Sequence, residues 1–242
     1  MTAAFPWYDL PSVRWANDAL WKETGLGGEL DRDTPPDAQW RSPDLVVSQA
    51  CGLDLFLADA PIEPVLAPVF DLDCEDGCYY SYLVGSRSGV AAVNAMTSRS
   101  GLSALLTVCQ PSSLLVTGSH AASLAAVRDG VADLACIDAV TWHILERDTP
   151  SLVAGVPVLE RTGPAPAPPF VMRKAGSRDL LVRRITAAMR APGTRMARRA
   201  LLLRNVVPVT MDDYAPVLAE YRAVSPRVAE FGPARKVPPE IA

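Results

Sequence analysis

The chain has 242 residues, 23 basic against 27 acidic for a formal net charge of −4, with 49% hydrophobic and 21% charged positions. That is long enough for one large domain or two lobes of roughly 100–150 residues without disulfide or metal staples. The acidic balance argues against nucleic-acid binding through a basic face, and no apolar run is long enough for a membrane-spanning helix, so membrane insertion is not expected.

The first nine residues show no basic region followed by an apolar run, so no export signal is read there. The expected location is cytoplasmic, or periplasmic if a signal has been removed. Five cysteines at 51, 74, 78, 109 and 136 form an odd, dispersed set, as in a reduced protein. Only Cys74 and Cys78 are close enough to touch across a tight turn. With His120 and His143 as the two histidines, no metal site or cofactor is expected.

In chain order, Trp7-Tyr8-Asp9 ends a possible short first strand, in which Pro6 fits badly because it lacks a ladder donor. Residues 10–25 have helical spacing, with Asp9 or Ser12 as a cap and Gly25 as a left-handed stop. Short buried strands are predicted at 45–48 and 65–67, with a helix at 53–57 between them. A third strand covers 80–84 and ends at Gly85. Strands at 90–93 and 114–116 follow, each leading through a small-polar turn into a helix. The helical spacing through Leu124 and Val127 stops at Gly130, and 134–137 is another buried run. The proline-rich 164–169 reads as a crossing segment outside the core. Residues 170–173 form a return strand, followed by helices at 178–190 and 194–203. The last 18 or so residues, with Pro226, Pro233, Pro238 and Pro239, read as a surface tail. This alternation predicts an α/β protein with mainly parallel sheets and ligand chemistry at strand C-termini.

Three such strand ends carry chemistry. In Val93-Asn94-Ala95-Met96-Thr97-Ser98-Arg99-Ser100-Gly101-Leu102 a strand meets a hydroxyl-rich turn and a helix start. Free backbone N–H groups there, with the Ser98 and Ser100 hydroxyls, make an anion cradle that needs no lysine; simple N-capping by one serine is the competing reading. In Thr117-Gly118-Ser119-His120 the histidine sits in a first helical turn, where the dipole disfavours imidazolium, so a neutral ring is expected; a structural histidine is the alternative. Asp138 follows the run 134–137 and either accepts from a ligand or caps the next helix. Tyr8, Tyr80 and Gln49 are further polar groups at strand ends, each equally explained by packing.

Taken together, Tyr8-Asp9-Leu10-Pro11, Ser98-Arg99-Ser100-Gly101, and Gly118-Ser119-His120-Ala121-Ala122-Ser123-Leu124 through Ala132-Asp133-Leu134 to Ile137-Asp138 resemble the phosphate/phosphonate-type solute-binding proteins of ABC transporters. The similarity spans roughly residues 5–220. It implies a two-lobed type 2 periplasmic-binding-protein-like fold, each lobe a mostly parallel sheet flanked by helices. Lobe 1 would comprise 1–86 plus 171–242 and lobe 2 would comprise 87–170, with a small anionic ligand held in the cleft and the lobes closing on it. The resemblance further implies that Ser98, Ser100 and the Gly101 backbone hold the anionic head, with His120 donating to the same oxyanion. Tyr8 and Tyr80 would close the site from lobe 1, Asp138 would face the ligand's other end, and an ABC permease would be the partner. Two departures stand out: no export signal is visible, and Pro166-Ala167-Pro168 occupies the place where relatives that bind aminoalkyl phosphonates carry an acidic residue. The competing function is a cytoplasmic enzyme on the same fold, like those of thiamine-precursor or menaquinone biosynthesis, using His120 and Asp138 as acid and base.

Overall fold

The computed structural model describes residues 1–174 and 176–231, together with the backbone of 235–236. The chain opens with strand β1 (Thr2–Ala3), helices α1 (Arg14–Thr24) and α2 (Pro36–Arg41), strand β2 (Leu45–Gln49), the short helix α3 (Asp54–Leu57) and strand β3 (Ile62–Phe70). Short β4 (Cys78–Tyr79) leads to β5 (Ser81–Gly85), β6 (Val90–Val93), a π-helical turn (Arg99–Ser103) continued by α4 (Ala104–Val108), then β7 (Ser113–Val116), α5 (His120–Arg128), β8 (Leu134–Asp138) and α6 (Ala139–Asp148). Next come β9 (Val158–Arg161), β10 (Ala165–Pro166), β11 (Phe170–Arg173), α7 (Arg178–Arg190), α8 (Arg195–Ala200), β12 (Leu203–Pro208), α9 (Ala215–Glu230) and β13 (Arg235–Lys236). No helix among the described residues is long and apolar enough to cross a membrane.

These elements form two compact units: Met1–Cys78 with Pro166–Ala215, and Tyr79–Ala165 with Pro216–Ala242. The first holds a five-stranded sheet in the order β1-β2-β11-β3-β12, and the second a six-stranded sheet in the order β13-β7-β6-β8-β5-β9. The units differ from the expected division at 79–86, at 166–170 and from 216 onward. Strand β5 is bonded on both sides within the second sheet, to β8 and to β9. Helix α9 buries Val224 in the second unit's core beside Leu83, Val93, Leu102, Leu105 and Cys136.

In the second sheet β6 runs parallel to β7 and β8, and β7 parallel to β13, as βαβ alternation demands. The first sheet is mostly antiparallel instead: β11 opposes both β2 and β3, and β12 opposes β3. The physical reason is connectivity. The chain returns to this sheet only after residues 79–165 have built the other unit, so no single crossover helix dictates the direction in which β11 enters.

Other differences are local. Helix α1 begins at Arg14 with no side-chain cap and stops at Gly25 in the left-handed conformation, φ 65°. Asp9 cannot cap it, because its carboxylate is engaged by Asn17 Nδ2 at 2.9 Å and Arg32 Nε at 2.8 Å. The expected first strand near Trp7 is absent, and the pairing strand is Thr2–Ala3, before Pro6. The proline-rich crossing is buried, not superficial: the Ala167 amide donates to the Gly77 carbonyl at 2.8 Å, and its carbonyl accepts the Tyr214 hydroxyl at 2.8 Å. The helix expected over 194–203 ends at Ala200, since Leu202 at φ 53° turns the chain into β12. Pro226 lies inside α9, not in a tail; the Arg222 carbonyl that it leaves without an amide donor takes the Ser225 hydroxyl at 3.3 Å. Pro233, Pro238 and Pro239 lie outside the described residues. The Cys74 thiol reaches the Cys78 carbonyl at 3.2 Å across the turn between them.

Gly85 ends β5 at φ 87°, and a Cβ there would stand 2.3 Å from the Asp133 carbonyl oxygen. Gly155 has a similar φ of 77° but open space around it. Gly85→Ala should therefore destabilise the protein by about 2 kcal/mol or more in urea unfolding, and Gly155→Ala by only about 1 kcal/mol. Equal losses would show that backbone conformation alone, not the close approach to Asp133, makes Gly85 necessary.

Candidate functional site

One edge of the second sheet collects the candidate residues. Val93 of β6 pairs with Val116 of β7, so the turns after both strands emerge side by side. Ser81 pairs with Asp138 and Tyr82 with Arg161, which puts the start of β5 and the ends of β8 and β9 along the same edge. In spatial order the edge carries His120, the 94–101 turn, Asp138, Tyr80 and Arg161.

The 94–101 turn is built by Ser98. Its carbonyl accepts from the amides of Leu102 and Ser103, both at 3.1 Å, which widens the first turn into a π-helix. Its hydroxyl oxygen accepts from the Gly101 amide at 2.9 Å. Gly101 leaves room for Asn94: an added Cβ would meet Asn94 Oδ1, and that side chain would have to move. Ser100 Oγ stands 2.8 Å from His120 Nε2 and 3.5 Å from Ser98 Oγ. His120 opens α5, whose start is capped by Ser119 Oγ accepting from the Ala122 amide at 3.0 Å. Ser98, Ser100, Gly101 and His120 thus form one contiguous cluster from two separate helix starts.

Five buried side-chain atoms meet no partner of full hydrogen-bond geometry among the described residues: Ser81 Oγ, Asn94 Oδ1, Arg99 Nη1, Ser103 Oγ and His120 Nδ1. All five belong to the second unit, and unsatisfied buried polar atoms are costly enough to call for an explanation. His120 is the most informative. Burial pushes its pKa down to about 4, against a weaker upward pull from the Cys136 carbonyl, so the ring is neutral at pH 7. A proton on Nδ1 satisfies that carbonyl, which leaves Nε2 to accept from the Ser100 hydroxyl.

Arg99, inside the same turn, is not a free cation for the cradle. Its side chain is 3% exposed and forks onto Glu220 of α9, Nε to Oε1 at 3.1 Å and Nη2 to Oε2 at 2.9 Å. It also lies 5.6 Å from the centre of the Tyr79 ring. The donors left to this turn are therefore neutral: the Ser98 hydroxyl and the helix-start amides not already bonded to Ser98.

Asp138 is 2% exposed, and one carboxylate oxygen caps α6 by accepting from the Val140 and Thr141 amides at 2.8 and 3.1 Å. Its capping reading is thus present in the structure. Tyr80 belongs to the second unit, not to the first as expected, because Ala139 at the start of α6 donates to its carbonyl at 3.0 Å. Tyr8 and Gln49 belong to the first unit. Tyr8 takes φ 63° and packs edge-on to Phe70 at 5.1 Å, and Gln49 accepts from the Trp7 amide at 3.0 Å through its side chain. Three residues escaped the sequence reading: Asn94, Arg99 and Arg161, whose guanidinium lies 4.6 Å from the centre of the Tyr80 ring. Arg161 ends a strand, Val158–Arg161, that has weak alternation and exposed ends, so periodicity gave it no signal.

Residues 86–220 match the family described as "ABC transporter, phosphonate, periplasmic substrate-binding protein", and the chain belongs to that family. No curated protein sequence matches it significantly. Among solved structures, a binding-protein component of an ABC phosphonate transporter from Pseudomonas aeruginosa superposes with a TM-score of 0.68 at 13% identity, covering 95% of this chain and 96% of that one. PhnD1 from Prochlorococcus marinus in complex with methylphosphonate gives 0.68 at 12% identity, covering 89% and 93%. A Xanthomonas citri protein bound to chloride ion gives 0.66 at 13% identity, covering 94% and 99%. The fold is the type 2 periplasmic-binding-protein-like α/β fold, with sheets flanked by helices, and the function is solute binding.

Two outcomes follow. Because folded His120 releases its proton at about 4 and an unfolded histidine at about 6.5, the unfolded chain gains the proton first as pH falls. Stability is then complete above about pH 6.5 and is lost between 6.5 and 4, by roughly 3 kcal/mol in all. His120→Gln should flatten that slope in urea unfolding at stepped pH, and an unchanged slope would contradict the assignment. Separately, Glu220→Leu should cost about 3–5 kcal/mol by stranding the Arg99 charge, whereas the Arg99→Met/Glu220→Leu pair should recover most of that loss.

Proposed function

We propose that the second unit captures a small phosphonate or phosphate-like oxyanion as the substrate-binding component of an ABC importer, working in the periplasm with a permease partner. The observation that carries this reading is the Ser98–Ser100–Gly101 turn joined at 2.8 Å to a half-buried, neutral His120. Helix-start amides and hydroxyls suit an oxyanion because they present partial positive charge without a counter-ion to displace. Arg99 is held by Glu220, so selectivity rests on matching lone pairs to donors: an ill-fitting ligand leaves buried donors unpaired. Pro166-Ala167-Pro168 supplies no carboxylate for a ligand ammonium, which favours a simple alkyl phosphonate over an aminoalkyl one. The Prochlorococcus relative, crystallised with methylphosphonate, is in keeping with that class.

The Ser100–His120 distance also suits a nucleophile and its base. Two facts favour binding over catalysis. A histidine with its pKa near 4 is a weak base at neutral pH. Its Nδ1 faces a backbone carbonyl, not a carboxylate that would stabilise imidazolium.

Methylphosphonate should bind saturably by calorimetry and raise the melting temperature, adding about 2.7 kcal/mol of stability at one hundred times its Kd. Ser100→Ala should weaken binding by about tenfold or more, because it removes the hydroxyl that holds the His120 ring against the turn. If phosphate, phosphite, methylphosphonate and acetate all leave the melting temperature unmoved, the oxyanion reading is wrong.

A further inference from the structure

Charge is unevenly spread along the chain. Residues 173–204 hold ten basic residues and a single acidic one, Asp179, a net of +9; the whole chain is −4, so the remainder carries −13. This segment builds α7 and α8 of the first unit. Both helices pack on α1 and on β12, which places them in one layer over the first sheet with their outer sides toward the same solvent. Helix α7 buries Leu181, Ile185, Ala188 and Met189. It exposes Leu180, Arg183, Arg184, Ala187 and Arg190, a stripe at three- and four-residue spacing. Helix α8 exposes Arg195, Met196 and Arg199.

Other cations of the segment serve the fold. Arg178 donates to the carbonyls of Pro64 and Val209 at 3.0 and 2.6 Å, and Arg204 meets Asp76 at 3.0 Å. Among the described residues, Arg183, Arg184, Arg190, Arg195 and Arg199 take part in no ion pair. Arginines on other surfaces do: Arg41 with Asp37, Arg87 with Glu160, Arg128 with Asp129 and Arg147 with Asp148. The crowding also works against the fold. Arg195 and Arg199 are like charges four residues apart, and Arg195 opens α8 at the end where the helix dipole repels a cation. Acidic groups stand only at the margin, as Asp179 and as Glu23 beside Gly193. Two large apolar side chains share the face, Leu180 at 39% exposure and Met196 at 62%. A merely solvated surface needs neither the unpaired charge nor the exposed apolar groups.

We propose that the outer face of α7 and α8 docks the chain on an anionic lipid surface, the arginines on phosphate headgroups and Leu180 and Met196 at the boundary with the acyl chains. Phosphate headgroups over an apolar interior complement both features of the face. Guanidinium suits the role because it stays charged, is weakly hydrated and forks onto phosphate oxygens. The contact is peripheral, since no helix among the described residues is long and apolar enough to cross a membrane. It is separate from the Ser98–His120 cluster, which belongs to the second unit. Adsorption concentrates the chain at the membrane, where the proposed permease sits.

The test is co-sedimentation of the full chain with vesicles of two parts phosphatidylcholine to one part phosphatidylglycerol, and with phosphatidylcholine alone. The wild-type protein should bind the mixed vesicles and not the neutral ones, and should be released on raising salt from about 0.05 M to about 0.5 M. At about fivefold per arginine, Arg183→Gln/Arg190→Gln/Arg195→Gln/Arg199→Gln should weaken binding by about a hundredfold or more. Lysine at the same four positions keeps the charge and should hold affinity within about fivefold of wild type. Arg41→Gln/Arg87→Gln/Arg128→Gln/Arg147→Gln changes the net charge equally on other surfaces and should bind as the wild type does. Equal losses in the two glutamine variants would assign the effect to net charge and overturn the proposal. So would loss of binding in the lysine variant, no binding to the mixed vesicles, or equal binding to the neutral ones. Capture by soluble polyglutamate without vesicle binding would assign the face to an acidic protein, and the proposal would fall.

Discussion

The contact between Ser100 and His120, 2.8 Å from Oγ to Nε2, joins two helix starts that the chain builds separately. Each start has its own local cap, Ser98 for the π-helical turn and Ser119 for α5, so neither needs the other to fold. What the contact adds is a shared, buried polar surface at the C-terminal edge of the second sheet. The parallel pairing of β6 with β7 sets the two turns side by side, and the absence of a Cβ at Gly101 leaves room for Asn94. Every other proposed feature of the site depends on that juxtaposition.

A charged cradle would bind any anion strongly and discriminate weakly, because Coulomb attraction is insensitive to shape. This edge is organised differently. Its buried arginine is committed to Glu220 and steadies the turn from behind, and the histidine is kept neutral by burial. Oriented dipoles remain, whose value depends on meeting lone pairs at the right positions.

Much of this was legible in the amino-acid sequence, for identifiable reasons. The second unit is built from βαβ steps with short loops, so the strands at 90–93, 114–116 and 134–137, and the turns after them, follow from local periodicity and glycine stops. The serines and His120 fell at predicted strand ends and were found together. Direction in the first sheet was not legible, because β11 returns from a distant part of the chain and a four-residue apolar run does not encode its orientation. Tyr80 was assigned to the wrong unit for a related reason: β5 begins right after the crossing at Tyr79, and only its pairing with β8 and β9 decides where it belongs. The roles of Arg99 and Arg161 depend on partners 121 residues away in the first case and across a strand pair in the second, beyond the reach of any local pattern. Asp138 shows a further limit. Capping and ligand binding ask for the same residue at the same strand end, and only the fold decides that one of its oxygens works on α6.

The most direct test of the shared polar surface is imidazole nuclear magnetic resonance of the full chain during titration with methylphosphonate. The account predicts that His120 resonances shift saturably, with the midpoint that calorimetry gives, and that the shift is lost in Ser100→Ala. Saturable binding that leaves His120 unmoved, or no binding at all, would contradict it.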